Sequence, residues 1–204
     1  MLKPFTIIGR LLYRTLVKDV ASNIQIYLVQ TLGSGETMDS PFIVRKYQDR
    51  DKEECRSLWR ELTDWHREIY QTPDIGGEHS EKYFDKHLHR IGSDNLWVAV
   101  CDSRVVGLVG LIVGEGEVEI EPLVVNKDYR HRGIGTHLIE TVIAETRNRG
   151  VAYLDVKPVA RNVSTIRFLH KLGFRKLGHI GMCYGFRQSC LETGITIHER
   201  EFEY

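Results

Sequence analysis

The sequence predicts a mixed α/β domain, in which helices flank a mostly antiparallel sheet that contains one parallel strand pair. Three observations predict this fold. Alternation of apolar and polar residues, typical of half-buried strands, recurs along the chain from residue 41 onward. Two amphipathic helical stretches follow the first of these strands. A further helical stretch, residues 133–150, lies between two strands, which indicates a parallel pair, whereas short polar turns elsewhere indicate antiparallel neighbours.

The composition is that of one globular domain and excludes several classes of protein. The chain has 204 residues, of which 42% are hydrophobic and 27% charged, enough for one full core. Lys plus Arg equals Asp plus Glu, 28 each, so there is no basic field for nucleic acid. No apolar run is long enough to predict a membrane span. The four cysteines form no CxxC pair, so we expect reduced thiols, no metal site and a cytoplasmic location.

The first 37 residues differ from the remainder. They mix apolar and basic residues and end in a Gly/Ser-rich break at residues 33–37. Arg10 and Arg14 interrupt any apolar segment of a secretory signal. We interpret residues 1–37 as an appendage, either disordered or a translation-start artefact, and residues 38–204 as the domain.

The domain begins with a strand at residues 42–47 and two helices. Asp49 is a candidate N-cap of the first helix and Ser80 of the second. The first helix has an apolar stripe at helical spacing: Cys55, Leu58, Leu62, Trp65 and Ile69. Two β-rich runs then flank the turn 101–103, which predicts a hairpin. The next strand, residues 117–125, contains Pro122, which cannot donate a ladder hydrogen bond, so we expect a bulge or a splay there.

The rest of the chain alternates helices and strands. The helix over residues 133–150 has an apolar stripe and a stop at Gly150. A strand at 151–156 and a helix from Asn162 to Gly173 follow. The tail predicts two more strands joined by a loop, one strand in residues 174–185 and the other in residues 191–204.

The stretch DYRHRGIGTHLIE, residues 128–140, has the properties of a phosphate site. Helix N-termini carry unpaired N–H groups and partial positive charge, and glycines let an anion approach the backbone. A Walker-type loop would need Lys after Gly135, where Thr136 stands. A dinucleotide fingerprint would need glycine at Leu138. Both of these common alternatives therefore fail.

What remains is the pattern R-x-x-G-x-G, formed by Arg130, Gly133 and Gly135. It resembles the acyl-CoA motif of the GNAT superfamily of N-acetyltransferases. A second stretch, NVSTIRFLHKLGF at residues 162–174, resembles the family's Asn-led helix that ends in Leu-Gly-Phe. The resemblance covers about residues 41–200. It implies the GNAT acyl-CoA N-acyltransferase fold, in which the parallel pair splays into a V-shaped cleft.

The resemblance also implies where acetyl-CoA binds as cosubstrate. The pantetheine arm would pair with Leu123, Val124 and Val125. Asn162, a candidate N-cap in its own right, matches the family's cofactor-contacting Asn. The pyrophosphate would accept N–H groups from the stretch Arg130, His131, Arg132, Gly133, Ile134, Gly135 and Thr136. Arg161, Arg167 and Lys171 either meet the 3′-phosphate or face water.

Acetyl transfer to an amine needs a base for the ammonium, and alternation within EVEIE indicates that Glu117, Glu119 and Glu121 share one face unless a bulge intervenes. They form either a solvated acidic surface or a catalytic site. By position relative to Arg130, Glu119 resembles the family's histone-type base and Glu121 the acidic residue of polyamine-type members. We favour Glu119 as the base and Glu121 as the contact for a cationic amine.

The sequence departs from the family at the general acid. Many members carry a Tyr in the Asn-led helix where this chain has Leu169. His170 is interpreted as a surface residue, and Tyr184 is a candidate without support from spacing. The acceptor pocket of the family would involve Trp65, His66, Tyr70 and residues 185–190, although Trp59 and Trp65 also fit core positions.

Three functions are therefore compatible with the sequence. The first is an N-acetyltransferase that acts on a small-molecule or protein amine. The second is a non-catalytic acyl-CoA sensor, which the missing Tyr favours. The third is a structural partner that docks through residues 1–37. Homodimers are common in the family, but no interface pattern occurs in this sequence.

Overall fold

The computed structural model describes residues 11–19, 24–31, 41–183 and 193–203, with side chains from residue 41 onward. The chain divides into two compact units, residues 1–156 and residues 157–204. The first unit contains the main sheet and three helices, and the second contains one helix and a small sheet.

The first unit is built on a seven-stranded sheet whose strands follow one another in chain order. Five adjacent pairs are antiparallel, and the last pair, β6 with β7, is parallel. The predicted fold class, a mostly antiparallel sheet with one parallel pair and flanking helices, is thereby confirmed. The strands are β1 (Leu11–Asp19), β2 (Ile24–Thr31), β3 (Phe42–Lys46), β4 (Leu96–Cys101), β5 (Arg104–Val113), β6 (Val118–Val125) and β7 (Leu154–Val156).

Strands β1 and β2 fall within residues 1–37. They form an antiparallel pair, and β2 pairs with β3 from Gln25 to Tyr27. The described part of this stretch therefore extends the sheet beyond β3. The domain boundary at residue 38 stays a prediction.

Three helices of the first unit connect these strands: α1 (Lys52–Tyr70), α2 (Lys82–Ile91) and α3 (Ile134–Asn148). The predicted caps of the first two are wrong. Asp49 begins a short 3-10 turn, and α1 starts at Lys52 without a side-chain cap, because the Asp51 carboxylate is bonded to Arg45. Ser80 is buried two positions before α2, whose N-cap is Glu81.

Helices cover both faces of the sheet. Gly107 and Leu108 are adjacent in β5 and so point to opposite faces. A Cβ at Gly107 would lie 3.1 Å from Leu138 of α3. Leu108 belongs instead to a buried cluster with Leu58 of α1 and Phe84 of α2. The sheet is thus packed between α3 on one face and α1 with α2 on the other.

A β-bulge interrupts the pairing of β5 and β6 at Pro122, as the sequence predicts. Val109 pairs with Leu123 and Leu111 with Ile120, so Gly110 alone lies opposite Glu121 and Pro122. A Cβ on Gly110 would lie 2.5 Å from the Glu121 carbonyl oxygen. The bulge therefore requires glycine at position 110.

A buried ion pair joins β3 to the start of α1. Arg45 donates two hydrogen bonds to the Asp51 carboxylate, at 2.6 and 2.8 Å, and the Gln48 N–H donates a third at 2.8 Å. The two side chains are 9% and 4% exposed. The hydrogen bond that Arg45 donates to Asp51 is the main cause of the raised pKa of Arg45. Nearby, burial raises the pKa of Tyr47 to about 12.

The second unit contains α4 (Val163–Lys171) and a two-stranded antiparallel sheet of β8 (Thr193–Ile197) and β9 (Arg200–Glu203). The prediction of one strand in each half of the tail is wrong. Residues 174–183 contain no strand, because Gly178 and Gly181 interrupt the alternation. The last stretch is instead a hairpin, turned by His198 and Glu199 at φ 47° and 63°.

Candidate functional site

The parallel pair diverges after a short contact. Only Val118, Glu119 and Ile120 are in register with β7, while β6 continues beside β5 to Val125. From Glu121 to Val125, the described part of β7 leaves the outer edge of β6 unpaired. At that edge the Nε of Arg130 donates a hydrogen bond to the Val125 carbonyl, at 3.1 Å. This opening is the splay that the sequence predicts.

The bulge sets which face of the sheet the glutamates occupy. Leu108 and Ile112 of β5 share a face because they are an even number of residues apart. Their partners are Val124 and Glu119, which therefore also share a face, although these two positions differ by an odd number. The bulge at Glu121 and Pro122 reverses the alternation between them. Glu119 consequently faces α1 and α2, on the same side as the buried Val124.

Glu121 also faces this side, where it contacts His87 of α2. The His87 Nε2 lies 2.9 Å from the Glu121 carbonyl oxygen, and its Nδ1 lies 3.5 Å from the Oε1 of the carboxylate. The Trp59 ring packs at 5.1 Å from the imidazole. His87 is buried, whereas the Glu121 side chain is 45% exposed. The structure thus brings a buried histidine to a glutamate at the splay, a contact that the sequence analysis did not predict.

The glycine-containing loop precedes α3 as predicted. His131 and Gly133 both adopt left-handed conformations, at φ 65° and 80°, and Gly133 is the N-cap residue of α3. Helical geometry leaves the N–H groups of Ile134, Gly135 and Thr136 without acceptors within the helix. His131 is exposed, and Gly133, Gly135 and Thr136 are partly exposed. The loop therefore presents backbone donors to an anion at the positive end of the helix.

The two arginines of the loop shape it rather than extend into solvent. Arg132 donates to the Asp128 carbonyl at 3.1 Å and lies over the Tyr129 ring. Arg130 lies 5.7 Å from the centre of the Trp65 ring, in addition to its bond to Val125. Their positive charges stay beside the helix terminus.

Glu61 of α1 binds this loop and the turn before it, a role that the sequence does not predict. Its carboxylate accepts hydrogen bonds from the Asn126 side chain at 3.0 Å and the Lys127 N–H at 2.6 Å, and it pairs with Arg130 at 3.4 Å. The available signal was an acidic residue beside the apolar stripe, between Leu58 and Trp65. Glu61 therefore links α1 to the turn that leads from β6 into the loop.

Asn162 and Leu169 lie in the second unit. The Asn162 Oδ1 accepts from the Thr165 N–H at 3.2 Å and the Ser164 hydroxyl at 2.9 Å, which confirms it as the N-cap of α4. His170 is exposed, as predicted, and Leu169 is buried. The candidate phosphate contacts Arg167 and Lys171 are exposed and Arg161 is partly buried.

The candidate acceptor residues are only partly described. Trp65, His66 and Tyr70 are half-buried, so Trp65 is not a core residue. Trp59 packs against the buried cluster. Tyr184 and residues 185–190 lie outside the described residues.

A polar depression between α1 and α2 is a separate feature. None of the predicted site residues lines it, and its charged groups pair with each other, as Arg60 does with Glu81 at 3.6 Å. Among the residues that the structure describes, no cluster of three or more His, Cys, Asp or Glu side chains could hold a metal ion. Within the same residues, no helix combines the length and apolarity needed to cross a bilayer.

We expect the folded protein to lose stability as the pH falls below about 6.5. Burial lowers the pKa of His66, His87 and His137. The unfolded chain then binds protons near pH 6.5 that the folded chain does not, and each fully buried histidine contributes a slope of up to about 1.4 kcal/mol per pH unit. Urea unfolding at pH 7.5 and 5.5 measures this difference. His137→Gln should reduce it, and equal stability at the two pH values would contradict the expectation.

Comparisons with known proteins agree with this geometry. The profile of the acetyltransferase (GNAT) family matches residues 59–174. Human N-acetyltransferase 8 is 27% identical over 103 residues, which cover 48% of this chain and 45% of the human protein. The probable N-acetyltransferase camello of Xenopus laevis is 36% identical over 89 residues, 41% of each chain. The chain thus spans less than half the length of these relatives.

Solved structures show the same fold. A GNAT-family acetyltransferase from Staphylococcus aureus superposes with a TM-score of 0.57 at 18% identity, over 72% of this chain and 92% of that one. The PaiA N-acetyltransferase of Thermoplasma acidophilum, solved in complex with coenzyme A, superposes with a TM-score of 0.56 at 19% identity, over 80% and 99% of the two chains.

Proposed function

Because this chain belongs to the GNAT family of acetyltransferases, we propose that it transfers the acetyl group of acetyl-CoA to a primary amine. The observation that carries the proposal is a pair of glutamates, Glu119 and Glu121, at the point where β6 leaves β7. Acidic groups at such a site favour an amine that arrives as a cation. The acceptor is a small molecule or a protein amine.

We assign the general base to Glu121 and the ammonium contact to Glu119. The resemblance to the family favours the opposite assignment. Glu121, however, lies at the splay itself and contacts a buried histidine, whereas Glu119 lies where β6 is still paired with β7. A base must reach the proton that it removes, and the position of Glu121 at the splay meets this condition better.

The residues present fit the CoA portion of the cosubstrate. Backbone N–H groups of the stretch Arg130 to Thr136 would hold the pyrophosphate. The outer edge of β6 along Leu123, Val124 and Val125, where only the Val125 carbonyl has a described partner in Arg130, would pair with the pantetheine arm. The resemblance to the family adds Asn162 as a cofactor contact, and this role stays a prediction. Acetyl-CoA supplies the activated acetyl thioester, and the chain's own residues bind it, orient it and remove the proton from the amine.

We expect Gly133→Ala to weaken acetyl-CoA binding about tenfold, equivalent to about 1.4 kcal/mol. A methyl group at φ 80° is strained and would obstruct an anion's approach to the loop. The matched control is Gly150→Ala, which has a similar strain at φ 71° but open space around it, at the other end of α3. Calorimetric titration with CoA compares them. Equal loss of affinity in both variants would show that the effect is one of stability alone.

The deciding experiment measures CoA release from acetyl-CoA with a panel of polyamines, aminoglycosides, amino acids and lysine peptides. We expect saturable release with at least one cationic amine and none without acceptor. CoA binding without turnover on any amine would instead support the alternative function, a non-catalytic acyl-CoA sensor. That alternative is favoured by Leu169, which stands where many members of the family carry the Tyr that acts as general acid. Absence of CoA binding would overturn both.

A reduced, cytoplasmic setting is part of the proposal. Its support is that Cys55, Cys101 and Cys183 form no disulfide, the first two being buried and the third exposed. Homodimer formation stays a prediction.

A further inference from the structure

We propose that His87 is a positioning residue for Glu121 and shares with it the proton that the substrate ammonium gives up. The inference rests on the proposed function, because it gives His87 a role in the same site. It starts from two contacts of one imidazole with one residue, the Nε2 with the Glu121 carbonyl at 2.9 Å and the Nδ1 with the carboxylate at 3.5 Å.

The first contact determines the tautomer of His87. A carbonyl oxygen can only accept a hydrogen bond, so the Nε2 must carry the proton that is donated to Glu121. In the neutral imidazole the Nδ1 then has no proton and presents a lone pair. The carbonyl of the bulged residue thereby directs the lone pair of His87 at the side chain of the same residue.

The second contact then needs a proton. The Nδ1 lone pair and the lone pairs of an ionised carboxylate repel each other at 3.5 Å, so the contact becomes favourable when one proton lies between them. When Glu121 takes a proton from the ammonium, an N–H bond of the substrate breaks and an O–H bond on Glu121 forms. The Nδ1 of His87 shares that proton. The amine loses one positive charge and the pair gains it, until the pair releases the proton to solvent.

The surroundings of His87 indicate that it acts through Glu121 and does not contact the substrate itself. The His87 side chain is 5% exposed and that of Glu121 45%, so an amine reaches the histidine only by way of the glutamate. Burial lowers the pKa of His87, and the carbonyl and carboxylate of Glu121 oppose that shift. The other charged group acting on the imidazole is Arg90, also on α2, which lowers its pKa further. From α1 the Trp59 ring packs on it.

The kinetic test is His87→Gln. The glutamine amide can still donate to the Glu121 carbonyl but has no atom that titrates, so it preserves the structural contact and removes the shared proton. We expect kcat to fall about tenfold, KM for acetyl-CoA to stay unchanged, and the acidic limb of the kcat–pH profile to move. His89→Gln, on the exposed side of the same helix, is the matched control and should behave as the wild type. Wild-type kcat and pH profile in His87→Gln would overturn the proposal.

A second measurement does not depend on turnover or on the folding of that variant. In ¹⁵N-histidine NMR of the wild type we expect His87 to be the Nε2–H tautomer near neutral pH. Glu121→Gln should lower the pKa of His87, because it removes the carboxylate that opposes the effect of burial. An unchanged pKa in that variant, or the opposite tautomer, would overturn the pairing even if the wild type acetylates an amine. The expected NMR result with no turnover on any amine would instead overturn the proposed function.

Discussion

Asp51→Ala should lower the free energy of unfolding by about 3–5 kcal/mol, because it leaves the buried Arg45 guanidinium without its partner. The variant also removes the acceptor of the Gln48 N–H. Since folded domains are stable by only about 5–15 kcal/mol, this loss is a large fraction of the total. Urea unfolding followed by circular dichroism measures it.

Two further variants show whether burial is the cause. Asp64→Ala removes an exposed carboxylate of α1, the helix that follows Asp51. This carboxylate pairs with Arg67 at 2.8 Å, and its loss should change the free energy of unfolding by about 0.5 kcal/mol or less. The double variant Arg45→Met with Asp51→Leu removes both buried charges and should recover much of the loss. If Asp51→Ala and Asp64→Ala were equally stable, the pair between β3 and α1 would not hold the helix start in place.

Glu121→Gln should reduce kcat by about 100-fold or more, because a general base in position contributes about 10²–10⁴-fold. The amide is nearly the same shape but cannot take a proton from the ammonium. KM for acetyl-CoA should remain near the wild-type value, since the CoA contacts lie elsewhere on β6 and the loop. Initial rates of CoA release with the best amine of the panel, from pH 6 to 9, measure the effect.

Glu119→Gln is the informative comparison. Since Glu119 is assigned to the ammonium, we expect mainly a higher KM for the amine, with the pH profile retained. If Glu119→Gln loses the profile and Glu121→Gln keeps it, the two roles are reversed, as the resemblance to the family favours. If neither variant changes the profile, neither glutamate is the base.

The parts of the fold that could be predicted are those with short-range patterns. Alternation identified β3 to β6, and helical spacing identified α1 to α4, because these periods follow directly from backbone geometry. The turn at Asp102 and Ser103 was found from its polar residues. The turn at His198 and Glu199 was missed, because neither residue is typical of a two-residue hairpin turn. Of the predicted helix caps, Asn162 was right. The caps of α1 and α2 were wrong, because Asp51 pairs with Arg45 and Ser80 is buried.

The candidate site likewise has parts that could be predicted from the sequence and parts that could not. The loop before α3 was predictable, since its glycines and the helix start are contiguous in the sequence. Glu61 and His87 were not, because their partners, Lys127 and Glu121, are 66 and 34 residues away. Both look like ordinary residues of amphipathic helices. Only the packing of α1 and α2 against β6 reveals them.

The bulge at Glu121 and Pro122 has a consequence for how this strand can change in evolution or design. It reverses the alternation of side chains along β6. The glutamates before the bulge and the apolar Val124 after it therefore lie on the same face of the sheet, the face toward α1 and α2. Deleting one residue of the bulge would restore regular alternation along β6, and the Glu119 side chain would then lie on the face toward α3. Gly110 permits the bulge by having no side chain. The placement of both glutamates therefore depends on Gly110, a residue of the neighbouring strand, and a larger residue at that position would disturb it.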